Sequence, residues 1–238
     1  MNYSPEQSRR MKIFVVIPLF NEEKHVVQVL IDVLKYKLTV IVVDDGSTDK
    51  SKFKVKTSLD GQGLKFKNVI FLDHNVNLGK GAAMKTGADY AFEHGASAVI
   101  FLDSDGQHNS DDLPKFVDAL ESGKYDVVLG SRNFNYGVPL IRFLGNKFAS
   151  VIMAFLFRTY VSDVICGFRA VTKIGYSKIR WDSNGYGVET EMIARIGKNK
   201  LRFCEIPVET IYHDNVKGVT ILDAFEVLGN VIKWKLTL

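Results

Sequence analysis

Val99-Ile100-Phe101-Leu102-Asp103-Ser104-Asp105-Gly106-Gln107 decides how this chain is read. A run of β-branched and aromatic residues ends in two carboxylates separated by one residue. The run reads as a buried strand, so the carboxylates fall at its C-terminal mouth. In open α/β sheets that edge is where ligands bind. Side chains i and i+2 of an extended segment point the same way, so Asp103 and Asp105 can face one ligand. Two bare carboxylates side by side repel, and a cation between them removes the conflict. Mg²⁺ or Mn²⁺ fits, because such hard ions take one or two carboxylates and complete their shell with water and phosphate oxygens.

Bulk properties narrow the class. A chain of 238 residues can bury one substantial core, and α/β folds of this size are often one domain. The net charge of +4 suits an anionic substrate or a membrane surface and is far below that of a dedicated nucleic-acid binder. Cys166 and Cys204 read as two small hydrophobes of a reduced, cytoplasmic protein rather than as a disulfide. The first ten residues lack the apolar stretch of a secretory signal, and no run reaches the ~18 apolar residues of a membrane span.

Outward from the central strand, βα alternation continues in both directions. Strands are predicted at 12–18, 38–43, 69–72, 97–103 and 125–129, with helices near 21–37, 48–59, 77–94 and 110–121. Asn21 is placed to cap the first helix. Two strands joined by a helix form a right-handed βαβ unit, which implies a mostly parallel sheet. Asn77-Leu78-Gly79-Lys80-Gly81 opens a helix. It lacks the third glycine of a dinucleotide fingerprint, because Met84 stands there, and it is no GxxxxGK[ST] loop. Free N–H groups and one cation at a helix start still suit an anion.

After Arg132 the alternation breaks. Val151–Phe157 is too short to cross a bilayer and reads either as a core helix or as an interfacial one. A Gly-interrupted strand is predicted over 163–171, a helix over 187–198 bearing Glu189 and Glu191, and a strand pair around Pro207. The C-terminal helix, 220–236, carries Lys233-Trp234-Lys235, the pattern of a helix edge seated at a membrane or packed on the domain.

Three acidic clusters then line one sheet edge: Glu22, Asp44 with Asp45, and Asp103 with Asp105. This arrangement suits a nucleotide and its metal, with an acid after the second strand accepting hydrogen bonds from ribose or base. Pro18-x-Phe20-Asn21-Glu22, Val42-Val43-Asp44-Asp45-Gly46-Ser47, Asn77-x-Gly79-Lys80-Gly81, Asp103-x-Asp105-Gly106-Gln107, Gly130-Ser131-Arg132 and Gly167-Phe168-Arg169 occur in this order. Together they resemble the family 2 glycosyltransferases of the GT-A fold, and among these the polyprenyl-phosphate (dolichyl-phosphate) hexose synthases.

The resemblance implies an α/β fold with a mostly parallel central sheet flanked by helices. It implies one GT-A domain over 1–238, with a nucleotide-sugar half at about 12–132 and an acceptor half at about 133–238. The implied reaction is an inverting, metal-dependent transfer of a hexose to a polyprenyl phosphate at the cytoplasmic face of a membrane. Pro18, Phe20, Glu22, Asp44, Asp45, Lys80 and Asp103 would hold the nucleotide. Asp103, Asp105 and Gln107 would serve the Mg²⁺ or Mn²⁺ and the diphosphate. Arg132, Arg142, Arg169 and Lys217 would meet substrate phosphates, and Asp105, Gln107 and Arg132 would act at the reacting centre.

The mannose synthases carry an Arg and a Gly-x-Ser-Lys near the end of the domain, where this chain has Tyr212-His213-Asp214-Asn215-Val216-Lys217-Gly218. UDP-glucose or a UDP-N-acetylhexosamine therefore stands beside GDP-mannose as donor. Two other functions fit the same residues: a soluble transferase acting on a sugar or protein hydroxyl, and a non-catalytic nucleotide-sugar-binding module.

Overall fold

A computed structural model describes residues 11–61, 67–132, 140–211 and 221–237. The elements run β1 Ile13–Leu19, α1 Val26–Leu34, β2 Thr39–Asp44, α2 Ser51–Gly61, β3 Val69–Asp73, α3 Lys80–Glu93, β4 Ala98–Phe101, α4 Leu113–Glu121 and β5 Val127–Arg132. They continue with α5 Leu140–Phe157, β6 Arg169–Thr172, α6 Lys173–Ile179, α7 Val188–Lys198, β7 Phe203–Val208 and α8 Ile221–Thr237. The described strands form one sheet in the order β3-β2-β1-β4-β6-β5-β7.

All of these strands run parallel except β6, which is antiparallel to both β4 and β5. The parallel strands are apolar end to end because helices cover both faces. On one face, Val29 and Leu30 of α1, Val55 of α2 and Phe116 of α4 pack against Val15, Ile17, Val40, Val42 and Ile100. On the other, Met84 and Ala88 of α3, Met153 of α5, Met192 of α7 and Trp234 of α8 belong to the cluster of Val16, Val43, Phe101 and Leu129. The chain winds outward from β1 through β2 to β3, then returns to place β4 on β1's other side. This reversal opens a crevice at the C-terminal edge between β1 and β4.

Several expectations change. The strand predicted over 163–171 is only Arg169–Thr172, and the strand pair around Pro207 is the single β7. Pro207 is tolerated because β7 is an edge strand, where a missing N–H need not break a ladder. Asn21 does not cap α1, whose N-cap is His25. Instead Asn21 has φ 53°, and its Oδ1 accepts from the N–H groups of Thr48 and Asp49, tying the β1 and β2 loops together.

The segment Val151–Phe157 divides by face. Asn146, Ser150, Met153 and Phe157 of α5 are buried, while Leu144, Phe148, Val151 and Phe155 are exposed. Among the described residues no helix is long and apolar enough to cross a membrane.

Candidate active site

β4 ends at Phe101, so Asp103 and Asp105 lie in the turn that follows rather than on the strand. Gly106 takes φ 73° to close this turn, and Asp105 Oδ1 accepts the Gln107 N–H at 2.9 Å. The loop is then stitched to the end of β7. Gln107 O accepts from Ile211 N at 2.8 Å, and His108 bridges Thr210. The carboxylates are thereby held by backbone on both sides.

The two acids have different surroundings. Asp103 Oδ1 sits 2.8 Å from Lys80 Nζ, and Asp103 Oδ2 sits 3.5 Å from His108 Nε2. Burial pushes the Asp103 carboxyl up, but the charge of Lys80 and then the hydrogen bond with His108 outweigh this and hold it below the usual carboxylate range. No basic partner is within ion-pair distance of Asp105 among the described residues. Burial, and then the charge of Asp103, push its pKa up.

Lys80 Nζ also lies 2.7 Å from Glu189 Oε1, at the start of α7. Burial would lower the Lys80 pKa, but Asp103 and Glu189 together raise it, so it remains an ammonium. Glu189 entered the sequence only as an acid on a helix. Its partner stands far away in the chain, and no local pattern announces the pair.

Asp44 and Asp45 separate by strand alternation. Asp45, on the α3 side, is held by three contacts: its oxygens accept from Leu78 N at 3.0 Å, Gly79 N at 2.7 Å and His74 Nδ1 at 2.7 Å. His74, not singled out by sequence, continues to Thr86 Oγ1 at 3.0 Å. Asp44 Oδ2 accepts from Ser47 N, while its buried Oδ1 has no hydrogen-bond partner among the described residues. The acid with an oxygen still unsatisfied is thus Asp44. Pro18 is buried within β1, and Phe20 and Glu22 follow at its mouth, with Phe20 41% exposed.

The Gly-Lys-Gly motif is corrected. Part of the N–H set around the start of α3 is already used, because Asp45 takes those of Leu78 and Gly79 and Asn184 O takes that of Ala82. The glycines are needed for close packing. A Cβ at Gly79 would overlap Asn184 O, and one at Gly81 would overlap Ser183 O. Trp181 Nε1 donates to Gly81 O at 2.8 Å, completing the seam. What the motif offers the crevice is the Lys80 side chain.

Arg169 is also corrected as a phosphate ligand. It is fully buried, and its guanidinium donates to the backbone carbonyls of Cys166, Glu189 and Val164. It braces the loop before β6 against α7. Its neighbours in the motif are structural as well: Phe168 stacks on Phe116 with ring centroids 4.1 Å apart.

Arg132 lies at the mouth of β5, where Asp163 holds it bidentately at 2.7 and 2.9 Å. Arg142 lies on α5 but its side chain, like all of Lys217, is outside the described residues. Cys166 and Cys204 are free thiols, and burial pushes that of Cys166 up to about 12.

Asp103 and Asp105 fit a hard dication. Asp105 is a half-buried carboxylate with no basic group within ion-pair distance among the described residues, and Asp103 stands two residues away. Among the described residues no group of three His, Cys, Asp or Glu side chains could enclose an ion. A cation here would therefore draw most of its shell from water and substrate oxygens, the usual habit of Mg²⁺.

Comparison with known proteins agrees with this geometry. Residues 14–180 match the model of the glycosyl transferase family 2. A UDP-N-acetylglucosamine–dolichyl-phosphate N-acetylglucosaminyltransferase of Methanococcus voltae is 30% identical, over 94% of this chain and 96% of its own. A polyprenol monophosphomannose synthase of Mycolicibacterium smegmatis is 28% identical, over 83% of this chain and 76% of its own. Among solved structures, glucosyl-3-phosphoglycerate synthase of Mycobacterium tuberculosis with Mn²⁺, UDP-glucose and phosphoglyceric acid superposes with a TM-score of 0.67. That match has 21% identity and covers 95% of this chain and 79% of the other, a likeness of fold. With its crevice acids, its GT-A sheet and a family match over most of its length, this chain belongs to the glycosyl transferase family 2.

Proposed function

We propose that this chain is one catalytic unit that moves a hexose or N-acetylhexosamine from a nucleotide-diphosphate sugar to a polyprenyl phosphate, with inversion. The donor would lie along the crevice edge of β1, β2 and β4, near Pro18, Phe20, Glu22 and Asp44, with its diphosphate toward Lys80, Asp103, Asp105 and Gln107. The acceptor phosphate would approach Arg132, whose plane Asp163 fixes. One acceptor oxygen forms the new bond to the anomeric carbon as that carbon's bond to the diphosphate breaks, and the diphosphate leaves with the electron pair. A phosphate monoester has a second pKa near about 6, so it is largely ionised at neutral pH and needs no strong base. Mg²⁺ or Mn²⁺, held by Asp105 with Asp103 and Gln107, would stabilise charge on the leaving diphosphate. Lys80 would add to that stabilisation from within the protein.

One observation carries the lipid acceptor. Leu144, Phe148, Val151 and Phe155 recur at helical spacing as an exposed stripe on α5, with Phe148 64% and Phe155 84% exposed. This helix belongs to the segment that follows Arg132. An apolar stripe with Lys147 and Arg158 beside it suits a peripheral seat on a membrane. We place that seat on the cytoplasmic face. The names of the Methanococcus and Mycolicibacterium relatives support the same acceptor class.

The test is transfer from labelled UDP-glucose, UDP-N-acetylglucosamine and GDP-mannose to a polyprenyl phosphate in liposomes, with Mn²⁺, for wild type and Asp105→Ala. One sugar should pass into the lipid phase, and the variant should lose the activity. Transfer only to water-soluble acceptors would replace the lipid phosphate with a hydroxyl acceptor. Donor binding without turnover would leave a binding module.

A further inference from the structure

Lys80 is held from two sides. Asp103 reaches it from the turn after β4 at 2.8 Å, and Glu189 from the first turn of α7 at 2.7 Å. An ammonium has three N–H donors, so among the described residues two are committed and one remains. Glu189 is buried, with its side chain 6% exposed, against 19% for Lys80 and 22% for Asp103. Its backbone is fixed as well: Glu189 O accepts from Arg169 Nη1 at 2.7 Å. A buried carboxylate needs a compensating charge, and Lys80 supplies it. The N-terminal end of α7 further favours the negative charge at this position.

We propose that Glu189 is a positioning residue for Lys80: together with Asp103 it fixes the ammonium so that its third N–H faces the diphosphate of the donor. This rests on the crevice being the nucleotide-sugar site. The lysine stem has four rotatable carbons, and a single carboxylate would leave the head free to swing. Two carboxylates on separate elements define its position. Bound to Lys80, Glu189 is not a free base, in keeping with an acceptor that is already ionised.

The test is calorimetric titration of UDP, GDP, UMP and GMP, with Mn²⁺, into wild type, Glu189→Gln, Lys80→Met and the double variant, with melting temperatures for each. Wild type should bind one diphosphate more tightly than its monophosphate. Glu189→Gln should weaken that diphosphate about tenfold while changing the monophosphate by less than about twofold. Lys80→Met should show a similar loss, and the double variant should bind no worse than Lys80→Met alone.

Three results would overturn the assignment: unchanged diphosphate affinity in Glu189→Gln, equal weakening of mono- and diphosphate, or losses that multiply in the double variant. Should Glu189→Gln melt below the assay temperature, Glu189→Asp decides instead. It keeps the charge one methylene short, so selective diphosphate weakening supports the role and unchanged affinity refutes it. If wild type binds neither UDP nor GDP, the nucleotide-sugar function itself fails, and this role with it.

Discussion

Gly167 gives the Asp103 carboxylate its room: a Cβ on Gly167 would overlap both carboxylate oxygens. The loop before β6 thus presses against the very acid that pairs with Lys80. Gly167→Ala should displace Asp103, because a close-packed neighbour on a braced loop has little freedom to yield. The expected result is a loss of stability of about 1–3 kcal/mol. Transfer should fall by about 10²-fold, the scale of a 1 Å misplacement. Thermal melting and kcat/KM on the same preparation check both.

Arg169 and Arg132 should separate cleanly. Arg169→Lys leaves buried carbonyls without the fork that satisfies them, and stability should fall by about 3 kcal/mol. Its effect on the KM of the lipid phosphate should be small in the fraction that remains folded. Arg132→Lys keeps a cation beside Asp163 but loses the bidentate geometry. It should raise the KM for the lipid phosphate with little change in melting temperature.

Asp105→Asn removes the carboxylate that lacks a positive partner. Mn²⁺ should raise the melting temperature of wild type, since a ligand bound only by the folded state stabilises it. That rise should vanish in the variant, and transfer should fall by at least about 10²-fold. A differential scanning fluorimetry series in Mn²⁺ with an EDTA control measures the first effect. An equal rise in both proteins would exclude Asp105 as a ligand.

Glu191 gives a pH-dependent signature. It is buried, which pushes its pKa up, but hydrogen bonds from Ser183 and Asp182 and the Arg195 guanidinium outweigh this and lower it. These bonds hold the turn whose carbonyls pack against Gly79 and Gly81. A carboxyl with a depressed folded-state pKa stabilises above its unfolded value and loses that contribution as pH falls through the folded value. Glu191→Gln should therefore cost about 2 kcal/mol near neutral pH. Denaturant melts at several pH values should show the gap between wild type and variant closing below the ordinary glutamate pKa of 4.5.

The α5 stripe predicts a lipid-specific defect. Phe148→Glu with Phe155→Glu replaces two exposed aromatics with charges and touches no core residue. Sedimentation with liposomes should fall at least about tenfold, since each inserted aromatic contributes about 1.5–3 kcal/mol. Transfer to a short, water-soluble prenyl phosphate should be unaffected. Unchanged sedimentation would move the membrane seat elsewhere.

Much of this was legible in the chain. Val40–Val43 and Val99–Phe101 are strands because β-branched and aromatic runs bounded by polar turns suit a sheet covered on both sides. Their position fixes Asp44, Asp45, Asp103 and Asp105 at one edge, because parallel strands bring their C-terminal ends together. Local pattern fails over 163–168. Val164 and Cys166 are buried and strand-like in composition, yet this stretch is a loop whose carbonyls are satisfied by the Arg169 side chain rather than by a ladder.

The sequence by itself determined the layered α/β architecture and the gathering of acids at the crevice, since both follow from short-range hydrophobic period and strand direction. Only the tertiary structure decided which group in each motif faces the crevice and which holds the scaffold. Asp45 turns to the start of α3, Arg169 turns inward to carbonyls, and Gly79 and Gly81 receive the turn before α7. Lys80 meets Asp103 and Glu189 across the core. A buried charge must be matched by whatever the fold brings beside it, and here the match comes from residues far apart in the chain.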